Sequence, residues 1–271
     1  MKSGIKTTLM VGAAAVVTLT STASRANPRP LPFTYNYETL GEGEGEIEQY
    51  VDMTPVRAHD TTGKLVTYAA MQYQTEFEYG VTDRLELGLY VALQPKPDYV
   101  DAATLTEGTG FKERLRYRLA EEGDWPVDVA LYGELVEYDV EFEIEAKIIL
   151  QKRFGNLRIA ANAWAEREWY YELDQRDWVI NPTVGATYQA TPVFNVGAEY
   201  WMRAEFPDPS PPVRTFNLGP HQFVGPAMMF NFGKIWWSTG VYVRLDDMGH
   251  TAAPGDNYGP IWVRTVIGVT L

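Results

Sequence analysis

From Thr67 to Val81 the chain changes character at every residue. Thr67, Ala69, Met71, Tyr73, Thr75, Phe77, Tyr79 and Val81 alternate with a set that includes Gln72, Gln74, Glu76 and Glu78. Period two puts the two sets on opposite faces of a β-strand, and a helix cannot separate them. After Thr82-Asp83-Arg84 the pattern resumes, with Leu85, Leu87, Leu89, Val91 and Leu93 on one face. Twelve such runs can be marked, at 45–53, 66–81, 85–94, 110–119, 127–137, 140–152, 157–169, 178–189, 194–204, 221–231, 234–245 and 261–271. The tenth is the weakest, because Pro226 blurs its faces. No amphipathic helix stands out. No apolar run beyond the first twenty residues is long enough for a spanning helix.

The links between runs are short at 82–84, 120–126, 153–156, 190–193 and 232–233, and long at 54–65, 95–109, 170–177, 205–220 and 246–260. Short and long alternate except at Tyr138-Asp139, a tight link that would pair Leu135 with Phe142 and Leu131 with Ala146. Short links on one rim and long loops on the other are the pattern of a membrane barrel. Alternation alone does not say which face is inside, but strand number does. Eight strands already give an interior that side chains just fill, so twelve with medium apolar side chains would leave a soluble core unfilled. Turned inside out, the same strands offer lipid an apolar band, and closure pairs every backbone group. Tyr79, Phe154, Tyr188, Phe194 and Phe230 would form an interfacial girdle beside the short links, with Trp169, Tyr170, Tyr171 and Trp178 at the other rim. The expected fold is all-β: a twelve-stranded antiparallel up-and-down transmembrane β-barrel, with both termini periplasmic and the long loops outside.

Lys2 and Lys6, the apolar stretch Leu9 to Leu19, and Ser24-Arg25-Ala26 come in the order of a secretory signal peptide cut after Ala26. Residues 27–44 are then an N-terminal periplasmic or lumen segment, and 45–271 the barrel. The formal charge of −13 argues against nucleic acid as a partner. Cysteine is absent, which removes disulfides, thiolate metal sites and cysteine nucleophiles.

In this pattern the chain resembles Gram-negative outer-membrane β-barrels, and the final strand Ile261 to Leu271 ends at the C-terminus as theirs do. The usual last Phe is Leu271 here. Tyr37-Glu38-Thr39-Leu40-Gly41-Glu42-Gly43, followed by Glu46-Ile47-Glu48-Gln49-Tyr50, is similar to the start of poorly characterised proteobacterial barrel proteins. The resemblance implies partners in outer-membrane lipid, lipopolysaccharide and the barrel-assembly machinery. It carries over no catalytic residues and no cofactor.

The most distinctive constellation is Lys112, Arg114, Arg116 and Arg118, on the polar face of one strand. Glu76, Glu78, Glu86, Asp128, Glu134, Glu141, Glu143 and Glu145 occupy polar faces of others. A basic ladder facing acids across a lumen would set up a transverse field, as in a porin constriction, and would favour anions locally. The same charges could instead fill a closed lumen as a salt-bridge network. The expected function is therefore passive passage of small solutes, or else a non-conducting structural or adhesion-type barrel acting through its loops. Glu113 falls on the apolar face and calls for a place near the long-loop rim or a bulge. His59 and His250 fall in loops and His221 opens the tenth run, none with a Ser two residues away. Asp246, Asp247, Asp256 and Asn257 could gather a divalent cation, but without a defined spacing they read as a solvated acidic loop. No metal site is expected. Pro207, Pro209, Pro211 and Pro212 make 205–220 a stiff, extended loop.

Overall fold

A computed structural model of the chain describes residues 27–59, 62–97, 105–139, 141–171, 176–208, 219–246 and 258–271. Thirteen strands run in chain order: β1 (Gly45–His59), β2 (Leu65–Thr82), β3 (Leu85–Pro97), β4 (Leu105–Arg118), β5 (Asp128–Tyr138), β6 (Glu141–Phe154), β7 (Leu157–Tyr170), β8 (Arg176–Ile180), β9 (Thr183–Thr191), β10 (Phe194–Asp208), β11 (His221–Asn231), β12 (Ile235–Arg244) and β13 (Ile261–Thr270). Each pairs antiparallel with its neighbours, and β13 pairs with β1 to close the ring. β8 and β9 both lie between β7 and β10 and form one stave, broken at Asn181-Pro182 where proline offers no ladder donor. The result is a closed twelve-stave barrel, and the expected run 178–189 is that interrupted stave.

The burial pattern identifies the inside. Leu89 is 57% exposed and Phe111 60%, whereas Arg114 is 1% and Arg116 0% exposed. An apolar outer belt around a charged interior is the reverse of a soluble barrel. Tyr79, Phe154 and Tyr188 are exposed beside short turns, as expected. Tyr170 instead turns inward, its hydroxyl donating to Glu168 at 2.9 Å.

The short turns are built locally. The hydroxyl of Thr82 accepts the N–H groups of Arg84 and Leu85. Gly155 takes a φ of 59° in the two-residue link from Phe154 to Leu157, the place a twisted hairpin reserves for glycine. Several strands run further toward the long-loop rim than the pattern implied. β1 extends to His59, so the link taken as 54–65 is mostly ladder and His59 ends a strand. β3 and β4 likewise pair out to Pro97 and Leu105. The β5–β6 turn falls one residue later than expected, so Leu135 pairs with Ile144 and Leu131 with Ile148. A shift of two in partner keeps side-chain parity, so the faces survive the error. In β11, Pro226 is exposed, and the ladder to β12 skips Gly225 and Pro226. Glu113 contradicts its expected placement. It faces outward between Leu89 and Leu135, with uninterrupted register on both sides.

Candidate functional site

The lumen is organised around residues 27–44. Residues 29–37 are all buried, although they belong to no strand. Leu31, Phe33, Tyr35 and Tyr37 alternate; Phe33 and Tyr35 pack their rings on inward aromatics, and Leu31 packs on Ala160 and Ala227. Phe33 stacks on Trp201 at 4.4 Å, Trp201 stacks on Phe223 at 4.1 Å, and Arg264 lies 3.7 Å over Phe33. Backbone without a ladder needs other acceptors when buried. Here the staves supply them as side chains. Glu199 of β10 accepts the N–H groups of Phe33 and Thr34. Asn162 of β7 takes the Tyr35 N–H at 2.7 Å and returns a bond to its carbonyl at 3.1 Å. Gln151 of β6 accepts from Tyr37 at 3.2 Å, and Glu86 of β3 from Leu40 at 2.7 Å. Glu38 meets Arg153 and Arg158, each at 2.8 Å. Burial alone would raise the Glu38 carboxyl, but Arg158, hydrogen bonds including one from Gln151, and Arg153 outweigh it and hold it below its ordinary value.

The basic ladder sits beside this segment, but it does not face acids across a void. Arg114 reaches over Gly88 of β3 to Glu76 at 2.6 Å and to Glu78 on β2, and meets Glu86 at 2.7 Å. Arg116 also pairs with Glu86. These five side chains form one knot on three consecutive staves, β2 to β4. Adjacent staves lie closest, so a long guanidinium finds its neighbours before it can cross the barrel. The transverse field expected from the sequence is thereby neutralised at Arg114 and Arg116. Lys112 pairs with Glu134 at 3.4 Å, and Lys147 with Glu145. Arg118 holds Glu121 and the Asp83 carbonyl at the short-turn rim, where Asp128 also caps the turn by accepting from Gly123 at 2.7 Å. These two anchor the rim.

Two cavities flank the segment. The one toward the long loops is about 390 Å³ and has Phe33 and Tyr35 on its wall. Its lining carries eight acids, among them Glu141, Glu143, Glu145, Glu166, Glu168 and Asp52, against Lys112, Lys147, Arg203 and Arg264. Arg203 bridges Glu166 and Glu168 at 2.9 and 2.7 Å, and Arg264 grips Asp52 at 2.7 Å. The second cavity, about 480 Å³, lies toward the short turns and is lined by Pro28, Pro30, Glu38 and Arg153 among others. Sequence reasoning had missed Glu166, Glu168, Arg203, Glu199 and Asn162, although the parity of Glu166-Arg167-Glu168 within its run carries the signal. His221 lies 2.7 Å from Arg244 and 3.5 Å from Asp246 in an ion-pair cluster at the long-loop end. There, despite burial, Arg244 and the Gln222 N–H hold the Asp246 carboxyl below its ordinary value. His250, Asp247, Asp256, Asn257, Pro209, Pro211 and Pro212 lie outside the described residues.

A closed twelve-stave antiparallel barrel with an apolar belt and a charged lumen is the fold of outer-membrane porins. The COG4313 outer membrane channel from Pseudomonas putida F1 matches over 87% of this chain and 98% of its own, with a TM-score of 0.58 and 13% identity. The NanC porin matches over 82% and 100%, with a TM-score of 0.53 and 10% identity. The KdgM porin in complex with disordered oligogalacturonate matches over 83% and 97%, with a TM-score of 0.50 and 8% identity. No curated protein matches the sequence. The model of a family of unknown function, DUF6662, matches residues 25–251, and the chain belongs to that family.

Proposed function

We propose that this protein is an outer-membrane channel for small solutes, closed at rest by residues 27–44, with an acidic vestibule that admits cationic solutes in preference to anions. In this reading residues 1–26 are a cleaved signal peptide and both termini face the periplasm. Lipid and lipopolysaccharide contact the apolar belt, and the barrel-assembly machinery inserts the chain. The observation that carries the proposal is the vestibule itself: a polar cavity toward the long loops with eight acids against four bases. A pore's selectivity follows the charges that line it, and of the ladder that would have favoured anions Arg114 and Arg116 are paired off in the knot while Lys112 is held by Glu134. The polar lumen and the resemblance to channels support passage rather than catalysis. Liposome flux with matched cationic, neutral and anionic solutes tests the reading. Cations should pass fastest once the segment is loosened by Asn162→Ala with Glu199→Gln. No flux from any variant would favour the alternative, a non-conducting barrel acting through its loops.

A further inference from the structure

Three buried carboxylate oxygens near the first stave have no hydrogen-bond donor; Glu76 Oε1 meets Arg114 as an ion pair, whereas Glu48 Oε1 and Glu78 Oε2 have neither kind of partner. Both residues belong to a triad with Glu46, and the three offer oxygens within 4.8 Å of one another. The pairing explains the crowding: Glu46 and Glu78 are direct cross-strand partners, and Glu48 is the next inward residue of β1. Like charges so placed repel, and burial raises the cost. Local cations are too few. Glu46, Glu48, Glu76, Glu78 and Glu86 are all buried, and the guanidiniums that reach them are Arg29, Arg114 and Arg116. Asn27 lies against this same triad. Its backbone N–H donates to Glu46 Oε2 at 3.1 Å, and the residue is 7% exposed.

We propose that the acidic triad is the receptor for the chain's own mature N-terminus. The inference rests on the cleavage after Ala26 included in the proposed function, but not on conduction. Hydrolysis of the Ala26–Asn27 bond takes up one water, leaves the Ala26 carboxylate on the leader and frees the Asn27 amine, which protonates. A peptide N–H offers one donor and no charge, whereas an ammonium offers three donors and a full positive charge. The nitrogen that already touches Glu46 would then supply a fourth cation to the five carboxylates, with donors to spare for the unpartnered oxygens of Glu48 and Glu78. Processing would thus lock residues 27–44 into the lumen, because the docking charge does not exist before the leader is removed.

Amine-reactive labelling of the purified mature barrel at neutral pH, read by mass spectrometry of the N-terminal peptide, tests this. The folded protein should label at Asn27 roughly tenfold or more slowly than the heat-unfolded protein, since the amine is reached only by local opening. Glu46→Gln with Glu48→Gln should restore fast labelling. Should that pair fail to fold, the wild-type chain extended by Gly-Ser before Asn27 should unfold at a lower temperature than the native-ended chain. Equal labelling of folded and unfolded wild type, or no effect of either change, overturns the proposal. A mature chain that does not start at Asn27 removes the cleavage reading as well, and the intact mass separates the two failures.

Discussion

Gly88 shows how one residue can decide what a charged wall does. A Cβ at that position would sit 2.5 Å from Arg114 Nε and 2.6 Å from Glu76 Oε1, so the ion pair occupies the space that a side chain would need. The bare position lets Arg114 cross β3 and spend its charge on β2 instead of the lumen. The alternation of Lys112, Arg114, Arg116 and Arg118 was legible as one inward face, but the crossing was not, because it depends on which stave carries a glycine opposite the arginine. Glu113 is the converse case. Its outward placement between Leu89 and Leu135 puts a carboxylate on the apolar belt. An outward acid in lipid is destabilising, by less than the cost of a basic residue at the midplane. Glu113→Leu should therefore stabilise the barrel by about 1–2 kcal/mol, seen as a higher temperature for loss of the fast-migrating folded form in gels. A lower temperature would mean that Glu113 has a stabilising contact on the outer surface.

Among the elements, the strands were the most legible and residues 27–44 the least. A strand announces itself by period two, and eleven of the twelve runs became single strands. The stave of β8 and β9 split because Pro182 follows Asn181 in its middle, a break that the alternation passes over. Residues 27–44 lie outside the ladders. Their order comes from acceptors contributed by β1, β3, β6, β7 and β10, contacts spread too widely along the chain for any local pattern to signal. The alternation of Leu31, Phe33, Tyr35 and Tyr37 was the one available hint. The Glu38 clamp gives this element a definite acid response. Its carboxyl sits below the ordinary value when docked, so it stabilises docking above the carboxylate range and loses that contribution as pH falls through the lowered docked value. Hydrogen exchange at Tyr37, corrected for intrinsic rates, should stay slow through mild acid and speed up only below that range. In Glu38→Gln the protection should already be weaker at neutral pH. Protection that is lost at mildly acid pH would contradict the clamp.

The whole molecule is a barrel turned inside out, and in the proposed function the link lengths set which rim faces out of the cell. Because the chain has no cysteine, single introduced cysteines report position without background. Lys64→Cys in the β1–β2 link should react with an impermeant maleimide on intact cells, and Asp124→Cys in the short link between β4 and β5 should not. The reverse would invert the barrel. Membrane placement and staves together leave one question at this scale, whether the lumen carries ions and which sign it prefers. Planar-bilayer recording of the Asn162→Ala, Glu199→Gln protein under a potassium chloride gradient answers it most directly. The vestibule charges predict discrete conductance steps with a reversal potential on the cation-selective side, and smaller or rarer steps in the wild type, whose segment stays docked. Anion selectivity, or the absence of steps in the loosened variant, would contradict the account.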